Sequence, residues 1–265
     1  MNDKQKRIEE HSQHEKNTWG EIFKKELQKN SSKKFSSYWW EYYYEHISQL
    51  IASLLSNKKF PNVLEAGSGS GKATLLSVPQ AKITLLDIAP EGLAMAKRLA
   101  EAYNVQNITY IEGNMFSMPF ENKTYDFVWN IGALEHYERD LVIDLLAEML
   151  RVTDSGGYIG IAIPNFRSFA IKKAMLLAHP RFKKILTFIS GYRLDTEKVY
   201  SAKDIENMLK AAASVQGIEL EGIKTVYIGS SLIVEAPKFL IKLFSKIEKH
   251  FNKRNFLMLT LAKRK

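Results

Sequence analysis

A chain of 265 residues, 45% hydrophobic and 25% charged, has the apolar content of an ordinary globular domain and the length to bury a full core as one domain with decorations. Its formal charge of +9 favours anionic partners without naming one, and the absence of cysteine excludes disulfides and most zinc sites. No apolar run approaches about 18 residues, and the polar start Met1-Asn2-Asp3-Lys4 carries no secretory signal, so a cytoplasmic protein is expected.

Residues 1–37 are polar and mixed in charge, and are expected to form a partly flexible extension ahead of a domain spanning 38–265. Within the extension Trp19, Ile22, Phe23 and Leu27 recur at helical spacing, which predicts a helix there, looser chain before it and a linker at Asn30-Ser31-Ser32-Lys33-Lys34. Tyr38-Trp39-Trp40-Glu41-Tyr42-Tyr43-Tyr44 is the densest aromatic cluster of the chain and leads into an amphipathic helix through Ile47, Leu50, Ile51 and Leu54. Two readings stay open for it: a helix that packs its rings on the domain, or a lid whose aromatic faces attract a cation and exclude water.

Val63-Leu64-Glu65-Ala66-Gly67-Ser68-Gly69-Ser70-Gly71 reads as a buried strand, a glycine turn and the start of a helix. Glycines let the backbone turn tightly and a ligand come close, while the helix aims its N-terminal N–H groups into the same space. Such a unit opening an α/β domain is a place for a nucleotide-like cofactor. The phosphate loop of NTPases does not fit, because its first glycine would fall on Ala66 and its hydroxyl on Ala73. The dinucleotide fingerprint fails too, its third glycine falling on Lys72. Ile83-Thr84-Leu85-Leu86-Asp87 then ends in a carboxylate about 20 residues beyond Gly67, the spacing that puts an acid on ribose hydroxyls. The alternative for Asp87 is a cap for the helix after Pro90.

Short apolar runs continue to alternate with helical patterns, predicting strands near 62–66, 82–87, 107–112, 124–130 and 157–163 and helices near 71–77, 90–103 and 138–151. Residues 164–200 break the alternation with a helical insertion, which either covers a substrate at the carboxyl edge of the sheet or adds peripheral core. Ser201 and Asp204 open a further helix as cap and first-turn acid, and strands follow at 217–228 and 256–262. Between those strands Ala236 to Phe251 is a basic amphipathic helix. Phe239, Leu240, Leu243, Phe244, Ile247 and Phe251 share one face, with Lys238, Lys242, Lys246 and Lys249 around it. Burial of that face against the sheet is expected; peripheral contact with an anionic membrane through 236–251 is the alternative.

Five ordered blocks resemble the class I S-adenosylmethionine (SAM) dependent methyltransferases, in particular their small-molecule, UbiE or methyltransferase type 11 branch. They are Glu65 before Gly67-x-Gly69-x-Gly71; Asp87 closing the second strand; Ile108 to Met115, with Asn114 where the family usually has Asp; Pro119-Phe120 with Tyr125 to Asn130; and Gly156-Gly157 before Tyr158 to Ile163. The resemblance implies an α/β, Rossmann-like fold with a seven-stranded, mostly parallel sheet and an antiparallel last strand. It also implies a helical N-terminal cap, a cofactor-binding core over 56–163 and a substrate-cap insertion over 164–200. SAM is the implied cofactor, with S-adenosylhomocysteine as product and no metal. Implied cofactor contacts are Glu65, Gly67, Ser68, Gly69, Gly71, Asp87, Ile88, Asn114, Met115 and Asn130. Tyr38, Trp39, Tyr43, Tyr137 and Phe166 are the candidate lid or substrate residues.

Methyl transfer from a sulfonium is an in-line displacement, so positioning supplies much of the acceleration, and a base is needed only for a protonated acceptor. His136 is a candidate base because its unperturbed pKa lies near neutrality, with Glu135 beside it; a packing role in the Leu134-Glu135-His136 turn is the alternative. Asn130-Ile131-Gly132 lacks the Pro-Pro-aromatic signature of amino-directed DNA methylases, and the missing cysteines argue against thiolate attack on pyrimidine C5. The expected activity is methylation of a small molecule at O, N or C. A nucleic-acid or protein methyltransferase, for which the basic charge speaks, and a SAM-binding module without turnover are the alternatives.

Overall fold

The computed structural model describes residues 3–28, 37–59, 61–179, 197–247 and 252–265. Val63, Leu64, Ile83, Leu85, Leu86, Phe127 and Val128 are fully buried, although neighbours along a strand point to opposite faces. A sheet that is apolar on both sides needs helices on both sides. Seven strands form it: β1 (Asn62–Ala66), β2 (Lys82–Asp87), β3 (Ile108–Glu112), β4 (Tyr125–Ile131), β5 (Thr153–Pro164), β6 (Leu220–Ile228) and β7 (Leu257–Arg264), in the order β3-β2-β1-β4-β5-β7-β6. The first five run parallel, and β7 is antiparallel to both its neighbours, β5 and β6, as expected. Strand order reverses between β1 and β4, which opens a crevice at their carboxyl ends.

The described helices are α1 (Asp3–Gln28), α2 (Tyr38–Leu54), α3 (Lys72–Ser77), α4 (Pro90–Tyr103), α5 (Arg139–Val152), α6 (Phe169–Ala178), α7 (Ala202–Gln216) and α8 (Lys238–Ser245). α2, α3 and α4 pack on the face that carries Val63, Ile83, Leu85 and Phe127. α5 and α7 pack on the other, with Leu64, Leu86 and Val128. α7 opens with the expected capping box, Ser201 and Asp204 each accepting from the other's backbone N–H.

Two expectations change. Residues 3–28 form one helix rather than a partly loose extension. Its inward stripe contains Ile8, Ser12, Glu15 and Gly20, so a count of apolar residues sees only the second half of it. Ion pairs from Lys4 to Asp144, Arg7 to Asp140 and Lys16 to Glu112 (2.7 Å) tie the helix across the carboxyl edge of the sheet. The linker expected at Asn30–Lys34 lies outside the described residues, as does 180–196 of the insertion. In the basic C-terminal helix the buried position is Ile241, whereas Phe239 and Leu243 are 68% and 58% exposed, so the shared face is not buried as expected. Lys249 and Phe251 lie outside the described residues. No described helix is long and apolar enough to cross a membrane.

Candidate active site

The glycine loop turns because Gly67, Gly69 and Gly71 all take left-handed backbone, at φ +68°, +49° and +59°. The N–H groups of Gly67 and Ser68 donate to Leu86 O at 2.8 and 3.0 Å, which holds the loop on β2. The Asp87 carboxylate fastens the other side: Gly69 N–H donates to Oδ2 at 2.6 Å and Ala89 N–H to Oδ1 at 2.8 Å. Burial pushes the Asp87 carboxyl above its ordinary range, and these backbone donors work against that shift. The N-cap of α4 is Ala89, not Asp87, so the carboxylate braces the loop instead of capping the helix. A Cβ on Gly71 would stand 2.4 Å from Leu85 Cδ1.

A cavity lies over this loop. Its floor is Gly67, Ser68, Gly69 and Ser70; its sides are Asp87, Ile88, Gly113, Asn114 and Met115, then Ile131, Gly132, Ala133 and Tyr137; its roof is Ser12, Glu15, Trp19 and Phe23 of α1. Eight of the sequence candidates meet here: Gly67, Ser68, Gly69, Asp87, Ile88, Asn114, Met115 and Tyr137. The buried Ser68 hydroxyl has no hydrogen-bond partner among the described residues. Asn114 donates from Nδ2 to Ser12 Oγ at 3.0 Å, linking wall to roof.

Glu65, Gly71 and Asn130 stand behind the wall. The Thr74 hydroxyl donates to Glu65 Oε2 at 2.6 Å and accepts from Trp129 Nε1 at 2.7 Å, forming a buried relay under the loop. Burial pushes the Glu65 carboxyl up to about 8. Asn130 donates to Ala66 O and accepts at Oδ1 from the N–H groups of Ala133 and Leu134, so it folds the turn after β4.

A second cavity adjoins the first. It shares Trp19, Ile131 and Gly132 with it and adds the rings of Trp40, Tyr43, Tyr44 and Phe256, together with Glu135, His136, Pro164, Ala170, Lys173, Val234, Glu235 and Leu257. The aromatic cluster of α2 therefore faces this cavity, and α1 is the helix over the glycine loop. Tyr38, Trp39 and Phe166 line neither cavity. Trp39 is fully buried, donates from Nε1 to Leu232 O at 2.9 Å and meets Phe256 edge-on, so it holds α2 in place. Lys173 and Glu235 pair at 2.7 Å in the wall.

The turn of 3-10 helix at Leu134–His136 delivers Glu135 and His136 to the same cavity. Glu135 is 2% exposed, and its Oε2 has no hydrogen-bond partner among the described residues. Burial, with smaller contributions from Glu197 and Glu15, pushes this carboxyl up to about 8. The His136 ring meets Trp19 edge-on at 5.9 Å. Among the described residues no group of three or more His, Asp or Glu is placed to hold a metal ion.

Sequence reasoning missed the roof. Ser12, Glu15, Trp19 and Phe23 follow steps of three, four and four, one helical stripe, but half of it is polar. It also missed Trp40, Tyr44, Lys173, Glu235 and Phe256, which only the tertiary fold gathers.

Residues 63–157 match the family described as a methyltransferase domain. The chain is 28% identical over 174 residues to the demethylmenaquinone methyltransferase of Chlorobaculum tepidum, covering 64% of this chain and 68% of that one. It is 30% identical over 112 residues to the phthiotriol/phenolphthiotriol dimycocerosates methyltransferase of Mycobacterium leprae, covering 41% of this chain and 38% of that one. The crystal structure of a SAM-dependent methyltransferase from Aquifex aeolicus shares the fold, with a TM-score of 0.52 and 16% identity over 92% of this chain and 97% of that one.

Proposed function

Because the chain belongs to the class I SAM-dependent methyltransferases, we propose that it transfers the methyl group of SAM to a small molecule held in the aromatic cavity. The observation that carries this reading is the junction of the two cavities at Trp19, Ile131 and Gly132. A donor site and an acceptor site that open onto each other are what an in-line displacement requires.

The cavity over the glycine loop fits the cofactor. The Asp87 carboxylate, held by backbone N–H groups, lines this cavity and is the acceptor for the ribose hydroxyls. Ile88 and Met115 offer apolar walls to a base, with Asn114 as the polar group beside them. The partnerless Ser68 hydroxyl is left for the cofactor's polar end. When bound, SAM supplies a methyl group on a positively charged sulfur, open to attack by an electron pair. The rings of Trp19 and Tyr137 wall off water there, and their faces attract a cation. Glu65 and Asn130 act as positioning residues behind the loop and the β4 turn.

On the acceptor side, four rings and several aliphatic side chains suit an apolar molecule bearing one polar group. The relative named for demethylmenaquinone agrees with a small-molecule acceptor. Glu135 Oε2, which lacks a partner among the described residues, would accept a hydrogen bond from an N–H or O–H of that molecule. Its carboxyl is raised to about 8, so the ionised form grows as pH rises towards that value, and in that form Glu135 receives the acceptor's proton where one is lost; His136 lines the same space. A walled cavity with inward-pointing rings favours this reading over a nucleic-acid acceptor, which would call for an open basic groove.

Calorimetric titration with SAM, S-adenosylhomocysteine and NAD tests the cofactor half. The expected result is micromolar binding of the first two, none of NAD, and at least about a tenfold loss (~1.4 kcal/mol) in Asp87→Ala. Absence of binding by either sulfur ligand would overturn the reading.

A further inference from the structure

α8 carries an apolar row that stays exposed among the described residues. Its exposed positions fall in pairs one turn apart, Lys238-Phe239, Lys242-Leu243 and, just past its end, Lys246-Ile247, while Ile241 is the buried position. Phe239, Leu243 and Ile247 are 68%, 58% and 43% exposed. Residues 236–247 contain no acid, and none of the three lysines forms an ion pair among the described residues; Lys238 and Lys242 lie 4.6 and 5.9 Å from the centre of the Tyr38 ring at the start of α2, with which they make cation–π contacts. A solvated helix face carries charged residues where Phe239 and Leu243 stand. An apolar row beside a row of lysines is the pattern of a helix lying in an anionic lipid interface.

α6 repeats that composition. Phe169, Met175 and Leu176 are exposed beside Lys172, and residues 167–179 contain no acid. α6 borders the aromatic cavity, and the segment leading into α8 does too. Ala170 and Lys173 of α6 line it, and Lys173 pairs with Glu235, which also lines it and lies just before the Pro237 that opens α8.

We infer that α8 and α6 seat the protein on an anionic lipid surface at the aromatic cavity, so that the acceptor is an apolar molecule drawn from the lipid phase. The source of the acceptor rests on the methyltransferase reading above; the lipid surface itself does not. The charge is complementary, because each lysine held near an anionic surface strengthens binding several-fold, and the apolar row supplies insertion.

The test is flotation of the full chain with vesicles of phosphatidylcholine alone and of phosphatidylcholine containing about 30% phosphatidylglycerol. Binding to the anionic vesicles is expected, falling with added salt and about a hundredfold weaker on the neutral ones. K238Q/K242Q/K246Q should lose about a hundredfold, and F239S/L243S about tenfold or more, with the melting temperature and S-adenosylhomocysteine affinity of both unchanged. A chain that binds neither vesicle, or variants that bind as the wild type does, would overturn the proposal and leave the face to a protein partner. The cofactor titration keeps the two readings apart. A protein that binds S-adenosylhomocysteine but not vesicles refutes the lipid surface alone, whereas one that binds vesicles but not the nucleoside refutes the cofactor site alone.

Discussion

The two cavities that meet at Gly132 are built in opposite ways. The cavity over the glycine loop is made largely at the ends of four neighbouring strands, from short stretches at 67–70, 87–88, 113–115 and 131–133. Backbone N–H groups, small side chains and one carboxylate do most of the work, and strand geometry fixes their spacing. The aromatic cavity is made from side chains gathered between Trp19 and Leu257, on α1, α2, the β4 turn, α6 and the approaches to α8 and β7. No backbone repeat sets the distance between those residues in sequence. A site made by a turn leaves a motif, whereas a site made by packing leaves only a composition.

Substitutions can break each half separately. The largest effect is expected for Gly71→Ala, which puts a methyl 2.4 Å from Leu85 Cδ1 on backbone at φ +59°. Overpacking and left-handed strain together should cost about 3 kcal/mol, read as a lower urea midpoint with loss of S-adenosylhomocysteine binding. Gly132→Ala is the contrast: its nearest neighbour is Glu135 Oε1 at 3.8 Å, so backbone strain of about 1–2 kcal/mol is the main stability cost. A stability loss equal to that of Gly71→Ala would remove the contrast.

Trp19→Ala removes the one aromatic side chain that, among the described residues, lines both cavities. It should weaken S-adenosylhomocysteine by about tenfold and also open the aromatic cavity, whereas Trp40→Ala should leave that affinity within about twofold and alter acceptor binding alone. Equal effects of the two on cofactor affinity would mean that the cavities are not separate sites.

A smaller effect is expected from Glu65→Gln. Burial raises the Glu65 carboxyl from about 4.5 to about 8, so between those values the folded chain holds a proton that the unfolded chain has released. The stability contributed is therefore full below about pH 4.5 and is lost as pH rises through about 8. Glutamine still accepts the Thr74 hydroxyl but does not titrate. The fall in melting temperature between about pH 5 and pH 8.5 should be shallower in the variant, by about 2–4 °C for each kcal/mol involved. Parallel curves would show that Glu65 is not protonated in the folded protein. Glu135, raised in the same direction, should flatten the curve further when replaced by glutamine in the double variant.

Legibility followed the same division. The strands, the glycine loop and Asp87 were readable because a buried parallel strand is a short apolar run and a tight turn needs glycine at set positions. Glu65 and Asn130, read from the glycine motif and the fourth-strand block, stand behind the cavity wall, since a spacing places a residue along a strand without telling which way its side chain points. α1 was half visible: Trp19 and Phe23 showed their period, while Ser12 and Glu15 on the same stripe hid the rest. The aromatic run at 38–44 announced a packed surface, yet not which of its rings face inward. Trp39 became structural while Trp40, Tyr43 and Tyr44 line the cavity. In α8 the sequence showed an apolar face, but the buried row turned out to be centred on Ile241, one position round the helix from the lysines.

A crystal structure with S-adenosylhomocysteine tests the two-cavity arrangement most directly. The predicted result is adenosine between Asp87, Ile88 and Met115, with the sulfur at the junction of Trp19 and Gly132 and facing the aromatic cavity. A ligand seated among Trp40, Tyr43 and Phe256, or a sulfur turned away from Gly132 with no opening towards them, would contradict it.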